Sequence, residues 1–308
     1  MSVDMEFKSL IQESTFNAGG LLNAKQANRF IDYQINDQVI LSECDVRKMT
    51  TNEEEIDRLS FAGRQMRKHT KGQKGSSGSV TSDQRSISLT ESKLWLELDL
   101  RTLKRMTVES DGNIKGRLLK HIMRLAAQQF GNDIEDLGLN GDTADASADV
   151  DFLSITDGWI KIAKNDAIVY DTNASADYMD MVFPNMVDSL PEKYRRDKSK
   201  LRFYVSDGIK QAYIRQIAGT NTSAALPYLT GEADPPYEGV PIKSVPKMPS
   251  GVIILTFPKN LTYGIDRTGI ERGFDTRIVE RVLDAVIYAP IGFQIANEDA
   301  FVLGYDVA

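Results

Sequence analysis

Between His69 and Asp83 the chain reads HTKGQKGSSGSVTSD, and a run of this kind in mid-sequence restricts what can be built around it. Three glycines and four serines fall between Gly72 and Ser82. Ordering each residue costs on the order of 1–2 kcal/mol of chain entropy, and the run has almost no apolar surface to offset that cost. It can be a linker, a phosphate-binding loop, a nucleic-acid finger, or the tip of an arm that is ordered only against a neighbour.

The phosphate-loop reading fails on spacing. A P-loop needs a second glycine five residues after the first, followed by Lys and then Ser or Thr. Five residues after Gly72 stands Ser77, and Gly78 is followed by Ser79 and Val80. The cations Arg64, Arg67, Lys68, His69, Lys71 and Lys74 can grip a nucleic-acid backbone or meet an acidic patch on another protein. The formal net charge of −7 favours protein contact, because the bulk of the chain repels DNA.

The flanks are extended. KLWLELDL alternates Leu94, Leu96, Leu98 and Leu100 with polar residues, the period of a half-buried strand. FAGRQMRKHT on the other side can also extend, so the two arms predict a long β-hairpin with a Gly/Ser tip. Before it, residues 1–60 are polar and helix-prone. Ala27, Phe30, Ile31 and Ile35 share one helical face after the flexible NAGG, and Thr51 ahead of Glu54 reads as a capping box. After the hairpin, Ile114, Leu118, Ile122, Leu125 and Ala126 follow three- and four-residue steps. They predict one long helix, N-capped by Asp111 and interrupted or bent at Gly131.

Beyond it, helical and extended signals alternate. KLRFYVS reads as a strand, and DGIKQAYIRQIAG as a helix from its N-cap Asp207 to Gly219. Glycines and prolines argue against regular structure over 220–239, where the apolar Leu226, Tyr228 and Leu229 then need a partner. GVIILTF, TRIVERVLDAVIYAP and AFVLGYDV predict strands.

Chemistry is poorly provided for. The single cysteine, Cys44, excludes an internal disulfide and a cysteine-based metal cluster. It lies far in sequence from both histidines and reads as structural. His69 and His121 are the only histidines, with no nucleophile motif and no metal-ligand spacing beside them. GNDIEDLGLNGDTADASAD concentrates carboxylates but lacks the ligand order of a calcium loop. These features predict no enzyme activity and no cofactor or metal. No run of 18 or more apolar residues is present, and MSVDMEFKSL lacks the order of a signal peptide, so the expectation is a soluble intracellular chain with no membrane partner.

The order of elements, together with four stretches, carries a resemblance. IEDLGLNGD after the long helix, LPEKYRRDKSKLRFYVSDGIKQAYIRQIAG, the Gly239–Ile242 turn with Met248-Pro249 in LPYLTGEADPPYEGVPIKSVPKMPSGVIILTF, and the terminal IGFQIANEDAFVLGYDV look like the tailed-bacteriophage major capsid protein. That family has the α+β fold named after phage Hong Kong 97. The resemblance implies an N-terminal arm over 1–60 and an extended hairpin loop over 61–110. It implies a peripheral domain with a spine helix over 111–149 and 259–299, and an axial domain over 150–258 and 300–308. It further implies self-assembly into hexamers and pentamers of an icosahedral shell around double-stranded DNA, held on the inner face without sequence-specific binding. Assembly would take place in the host cytoplasm, with scaffold, portal and decoration proteins as further partners. Arg67, Lys68, Lys71, Lys74 and Trp95 would be intersubunit contacts of the extended loop, and Leu226, Tyr228 and Leu229 would lie at the capsomer centre. The isopeptide chemistry of some members is not carried over, since no asparagine or glutamate here matches it. An encapsulin-like shell around protein cargo shares the fold, and an α+β enzyme with an unrecognised site is the remaining alternative.

Overall fold

The computed structural model describes residues 20–21, 31, 38–61, 66, 68, 80–99, 114–145, 150–220, 222–230, 234–277 and 279–307. Two six-stranded sheets and a separate two-stranded hairpin are joined by helices.

The first sheet is ordered β1 (Gly20–Leu21), β12 (Glu271–Arg277), β13 (Val282–Ile295), β11 (Leu261–Asp266) and β2 (Asp45–Met49), with β5 (Thr90–Asp99) also paired to β13. β5 and β13 run antiparallel over ten residues, from Thr90↔Ile291 to Asp99↔Val282. The predicted alternation is realised: Leu94 packs on the core with Ala285 and Ile287 buried on the same side, while Trp95 faces solvent. TRIVERVLDAVIYAP is not one strand but parts of two, since the chain reverses at Arg281, whose φ is 58°.

The second sheet is ordered β6 (Ile168–Asp171), β14 (Phe301–Tyr305), β10 (Ile253–Thr256), β7 (Arg202–Val205), β9 (Val240–Ser244) and β8 (Pro236–Tyr237). Its central strands are apolar on both sides, as a sheet covered on both faces requires. Tyr204, Ile254 and Leu303 point into one cluster, whereas Phe203, Leu255 and Val302 point into the other. Helices α3 (Phe183–Ser189) and α4 (Asp207–Thr220) supply Phe183, Met186, Val187, Ile209 and Tyr213 to the second cluster. Glu238 and Gly239, with φ of 45° and 85°, make the two-residue turn between β8 and β9, which explains the glycine of the Gly239–Ile242 motif.

Helix α1 (Ile114–Asn140) runs uninterrupted through Gly131 and takes in most of IEDLGLNGD, against the expected break there. Ala127, Phe130, Ile134 and Leu137 bury one face in the first cluster, and that packing outweighs the roughly 1 kcal/mol a mid-helix glycine costs. Ala126 is buried too. Asp111 and the side chains of Ile114, Leu118, Ile122 and Leu125 lie outside the described residues, as do Ala27, Phe30 and Ile35; Ile31 is helical and fully buried. Helix α2 (Trp159–Asp166) packs Trp159 edge-on to Phe293 at 5.0 Å.

Three further readings are corrected. Thr51 caps no helix: Glu53–Phe61 is strand β3, and the Thr51 hydroxyl donates to the Glu53 carbonyl at 2.8 Å. Ser206, not Asp207, caps α4, its Oγ accepting from the Ile209 N–H at 3.4 Å. Residues 222–229 form helix α5 (Thr222–Leu229), with Pro227 inside it. The proline loses one backbone bond, but the turn still closes when the Thr230 N–H and hydroxyl both donate to the Leu226 carbonyl at 3.0 Å.

The segment 38–44 fastens these parts together. The buried Glu135 of α1 accepts from the Ile40 N–H at 2.8 Å, and burial pushes its carboxyl up. Glu43 receives Lys243 at 2.5 Å and the Tyr204 hydroxyl at 3.1 Å from the second sheet. Cys44 is buried, its thiol donating to the Leu41 carbonyl at 3.3 Å.

Candidate assembly surfaces

The hairpin consists of β3 and β4 (Val80–Ser88), paired from Glu53↔Ser88 to Phe61↔Val80. Its second arm is therefore residues 80–88, not the Leu94–Leu100 strand, which belongs to the first sheet. Its first arm begins at Glu53, well before FAGRQMRKHT. On one face Ile56 and Ile87 join Met49, with Leu89 and Ala296 against them, in a small core at the base. Farther out, Leu59 is 70% exposed and Val80 56% exposed. Of the cations expected to make contact, Lys68 is described and exposed; Arg67, Lys71 and Lys74 lie outside the described residues, as does most of HTKGQKGSSGSVTSD.

Two arginines on the body-facing side tie the hairpin down. Arg58 donates to the Asp299 carboxylate at 3.1 Å and to the Tyr194 hydroxyl at 3.2 Å. Arg85 reaches Asp166 at 3.0 Å and also pairs with Glu298. The Asp299 carboxyl is held below its usual range by Arg58 first, with Lys193 contributing.

A second surface is the solvent face of the first sheet. Trp95 sits here on β5 and not on the hairpin. It is 53% exposed, with Lys93 over its ring at 4.7 Å and its indole N–H donating to Asp284 at 3.2 Å. Register places Val286 opposite Trp95 and Tyr288 opposite Lys93, so the same face carries Tyr288. Arg277 knits it, meeting Asp284 at 2.6 Å, Glu97 at 2.6 Å and also Glu280. That guanidinium holds the Asp284 carboxyl down, with desolvation acting in the opposite direction.

The third surface is α5. Leu226 is 58% and Leu229 53% exposed, while Tyr228 is half-buried. Tyr213 of α4 is pushed up to about 12, by burial first and then by the Tyr237 and Tyr228 phenols. The three residues expected at one surface thus divide into two exposed leucines and one half-buried tyrosine. Tyr288, Arg58 and Arg85 escaped the sequence reading because only strand register brings them to these faces. Among the described residues no cluster of metal-ligating side chains is present.

Comparison with known proteins bears on what such surfaces serve. No protein-family model matches the chain. A Bacillus subtilis (strain 168) protein named as a prophage capsid protein, YqbE, is 27% identical over 301 residues, covering 93% of each sequence. Among solved structures, a chain of the satellite phage P4 procapsid with its size determination (Sid) protein superposes with a TM-score of 0.71. The match covers 100% of this chain and 98% of that one, at 14% identity. The chain has the fold of phage capsid proteins. Its mixed helix-and-strand architecture is the expected α+β class, and the phage capsid resemblance read from the sequence holds over nearly the whole chain. A virus-like particle from Pyrococcus furiosus shares the capsid fold more distantly, with a TM-score of 0.54 at 11% identity over 90% of this chain and 96% of that one.

Proposed function

We propose that this chain is a phage capsid protein, the structural subunit of an icosahedral shell, assembling with copies of itself into hexamers and pentamers around double-stranded DNA. It would act without catalysis or cofactor, be assembled in the host cytoplasm, and take scaffold, portal and decoration proteins as partners. The observation that carries the reading is the end-to-end superposition on a chain of a phage procapsid. Three exposed surfaces with apolar residues on one subunit support it, because a closed assembly covers such surfaces many times over. In this reading the hairpin is the arm that reaches a neighbouring subunit, with Arg67, Lys68, Lys71 and Lys74 suited to acidic groups there. Trp95 belongs to the sheet face that neighbours cover, and Leu226, Tyr228 and Leu229 lie near the capsomer centre. Of the domain limits implied by the resemblance, the peripheral (111–149 and 259–299) and axial (150–258 and 300–308) ones stand as part of this proposal, while the loop, expected over 61–110 after an arm over 1–60, is taken as the hairpin whose strands run from Glu53 to Ser88.

Electron microscopy and sedimentation of the full chain, expressed alone and with its neighbouring phage genes, test it. Closed particles built of five- and six-fold units are the expected result; monomer or dimer under every condition would overturn the reading. The similarity to a virus-like particle favours one second reading, an encapsulin-like shell around protein cargo. Nuclease-protected DNA in purified particles decides for the first, and a stoichiometric protein cargo without DNA for the second.

A further inference from the structure

We propose that the paired glycines Gly264 and Gly292 form a flat bed on which the base of the hairpin lies, and that this bed, with Arg58 and Arg85 as a two-point clamp, fixes the angle at which the arm leaves the subunit. The inference rests on the arm reading above and names the residues that aim the arm.

The two glycines are direct cross-strand partners in the β11–β13 ladder, and both are buried. A Cβ on Gly292 would stand 2.2 Å from the Ser88 carbonyl oxygen, and one on Gly264 would stand 2.9 Å from Ile87 Cδ1 and 3.0 Å from Met49 Sδ. At Gly292 the hairpin backbone thus occupies the space where a side chain would be, and at Gly264 the side chains of Ile87, Leu89 and Met49 do. This is close approach, a use of glycine separate from its freedom in φ. Hairpin and sheet are joined at two short junctions: Leu89 alone links β4 to β5, and its N–H donates at 2.8 Å to the carbonyl of Asn52, in the three-residue junction 50–52 that links β2 to β3. No loop absorbs a change of direction there. Gln294, two residues beyond Gly292, donates to the Ser86 carbonyl at 2.8 Å.

The clamp acts farther along the arm. Arg85 and Arg58 lie on the same face of the pleat as Ile56, and their carboxylate partners come from the end of α2 and from residues 298–299 ahead of β14. The bed therefore belongs to the first sheet, and the clamp ties the hairpin to elements flanking the second. Two separated points define a line. A methyl group on Gly292 must lift the hairpin base by about 1 Å to reach ordinary contact distance. Pivoting against a clamp about three residues away, that lift moves the far end of a nine-residue strand, roughly 30 Å long, by about 2 Å in the opposite sense.

The experiment measures a distance in the unassembled full chain. Spin labels at Val80→Cys at the far end of the hairpin strand and Ser250→Cys on the body report the arm's direction; Cys44 is buried and stays unlabelled. In the Gly292→Ala variant the mean distance is expected to shift by about 2 Å, with far-UV circular dichroism unchanged. In Arg58→Ala/Arg85→Ala the distribution is expected to broaden, since the bed remains and the clamp is gone. A Gly292→Ala distribution identical to wild type would overturn the proposal. Should Gly292→Ala fail to fold, the double-arginine variant decides: an unbroadened distribution overturns the clamp and with it the line. Particle assembly is scored in parallel. Failure of the wild-type chain to make shells speaks against the shell reading, while the distance measurement stands on its own.

Discussion

Cys44 shows how one buried side chain writes a pH dependence into the whole molecule. Burial pushes its thiol up to about 12, with Lys259 opposing. The fold therefore holds a proton that the unfolded chain releases near pH 8.5, so this stabilisation is complete below that pH and is lost as pH rises toward 12. Tyr213 and Tyr237, both pushed up to about 12 chiefly by burial, act in the same direction from about pH 10 upward. The melting temperature is expected to fall steadily between pH 9 and 11, with a shallower slope in Cys44→Ala; equal slopes would refute the assignment. Glu43 is a second test. Its carboxylate takes the buried Tyr204 hydroxyl and Lys243 together. Glu43→Ala should cost about 2–3 kcal/mol in urea unfolding because a buried donor loses its acceptor. Glu43→Gln, which keeps an acceptor, should cost less.

At the scale of elements, the α5 surface separates assembly from stability. Leu226 and Leu229 are each more than half exposed, so Leu226→Ser/Leu229→Ser should change unfolding free energy by no more than about 0.5 kcal/mol per site. The same pair is expected to lower the yield of closed particles several-fold in electron micrographs; full yield would remove α5 from the contact. Tyr228 is a poorer probe, since it is half-buried and its loss disturbs the fold as well. Legibility in the sequence followed the same division. The strands at 202–205, 253–256 and 301–305 were readable, because short apolar runs bounded by turn residues leave little choice. The one-sided strand at Leu94–Leu98 was readable from its alternation. Its partner was not, because pairing with β13 spans about 190 residues of sequence and nothing local encodes it. The same blindness misassigned the hairpin arms and hid the Gly264–Gly292 pair, whose meaning exists only once two strands lie side by side. The helix at 222–229 was missed because Pro227 was weighed alone, without the packing of α5 on α4.

For the molecule as a whole, the decisive feature is a second sheet buried on both faces. β7, β10 and β14 give alternate side chains to the two clusters, so neither cluster can melt without stripping one face of the other's wall. A single cooperative transition is expected, with Trp159 fluorescence from the first cluster and tyrosine near-ultraviolet dichroism from the second superimposing on one curve. Two resolved transitions would show the clusters to be independent.

Leu89 also determines how the subunit carries force. A pull on the β4 side of the arm enters the body through that one residue and passes directly into the ten paired positions of β5 and β13, while the β3 side passes through residues 50–52 into β2 of the same sheet. When the pull runs along the strand it loads those bonds in shear, all at once, instead of peeling them singly from one end. A wall of such subunits, strained by pressure from within, would transmit tension from each arm into the longest ladder of its own sheet, the part of the molecule least able to give way by degrees.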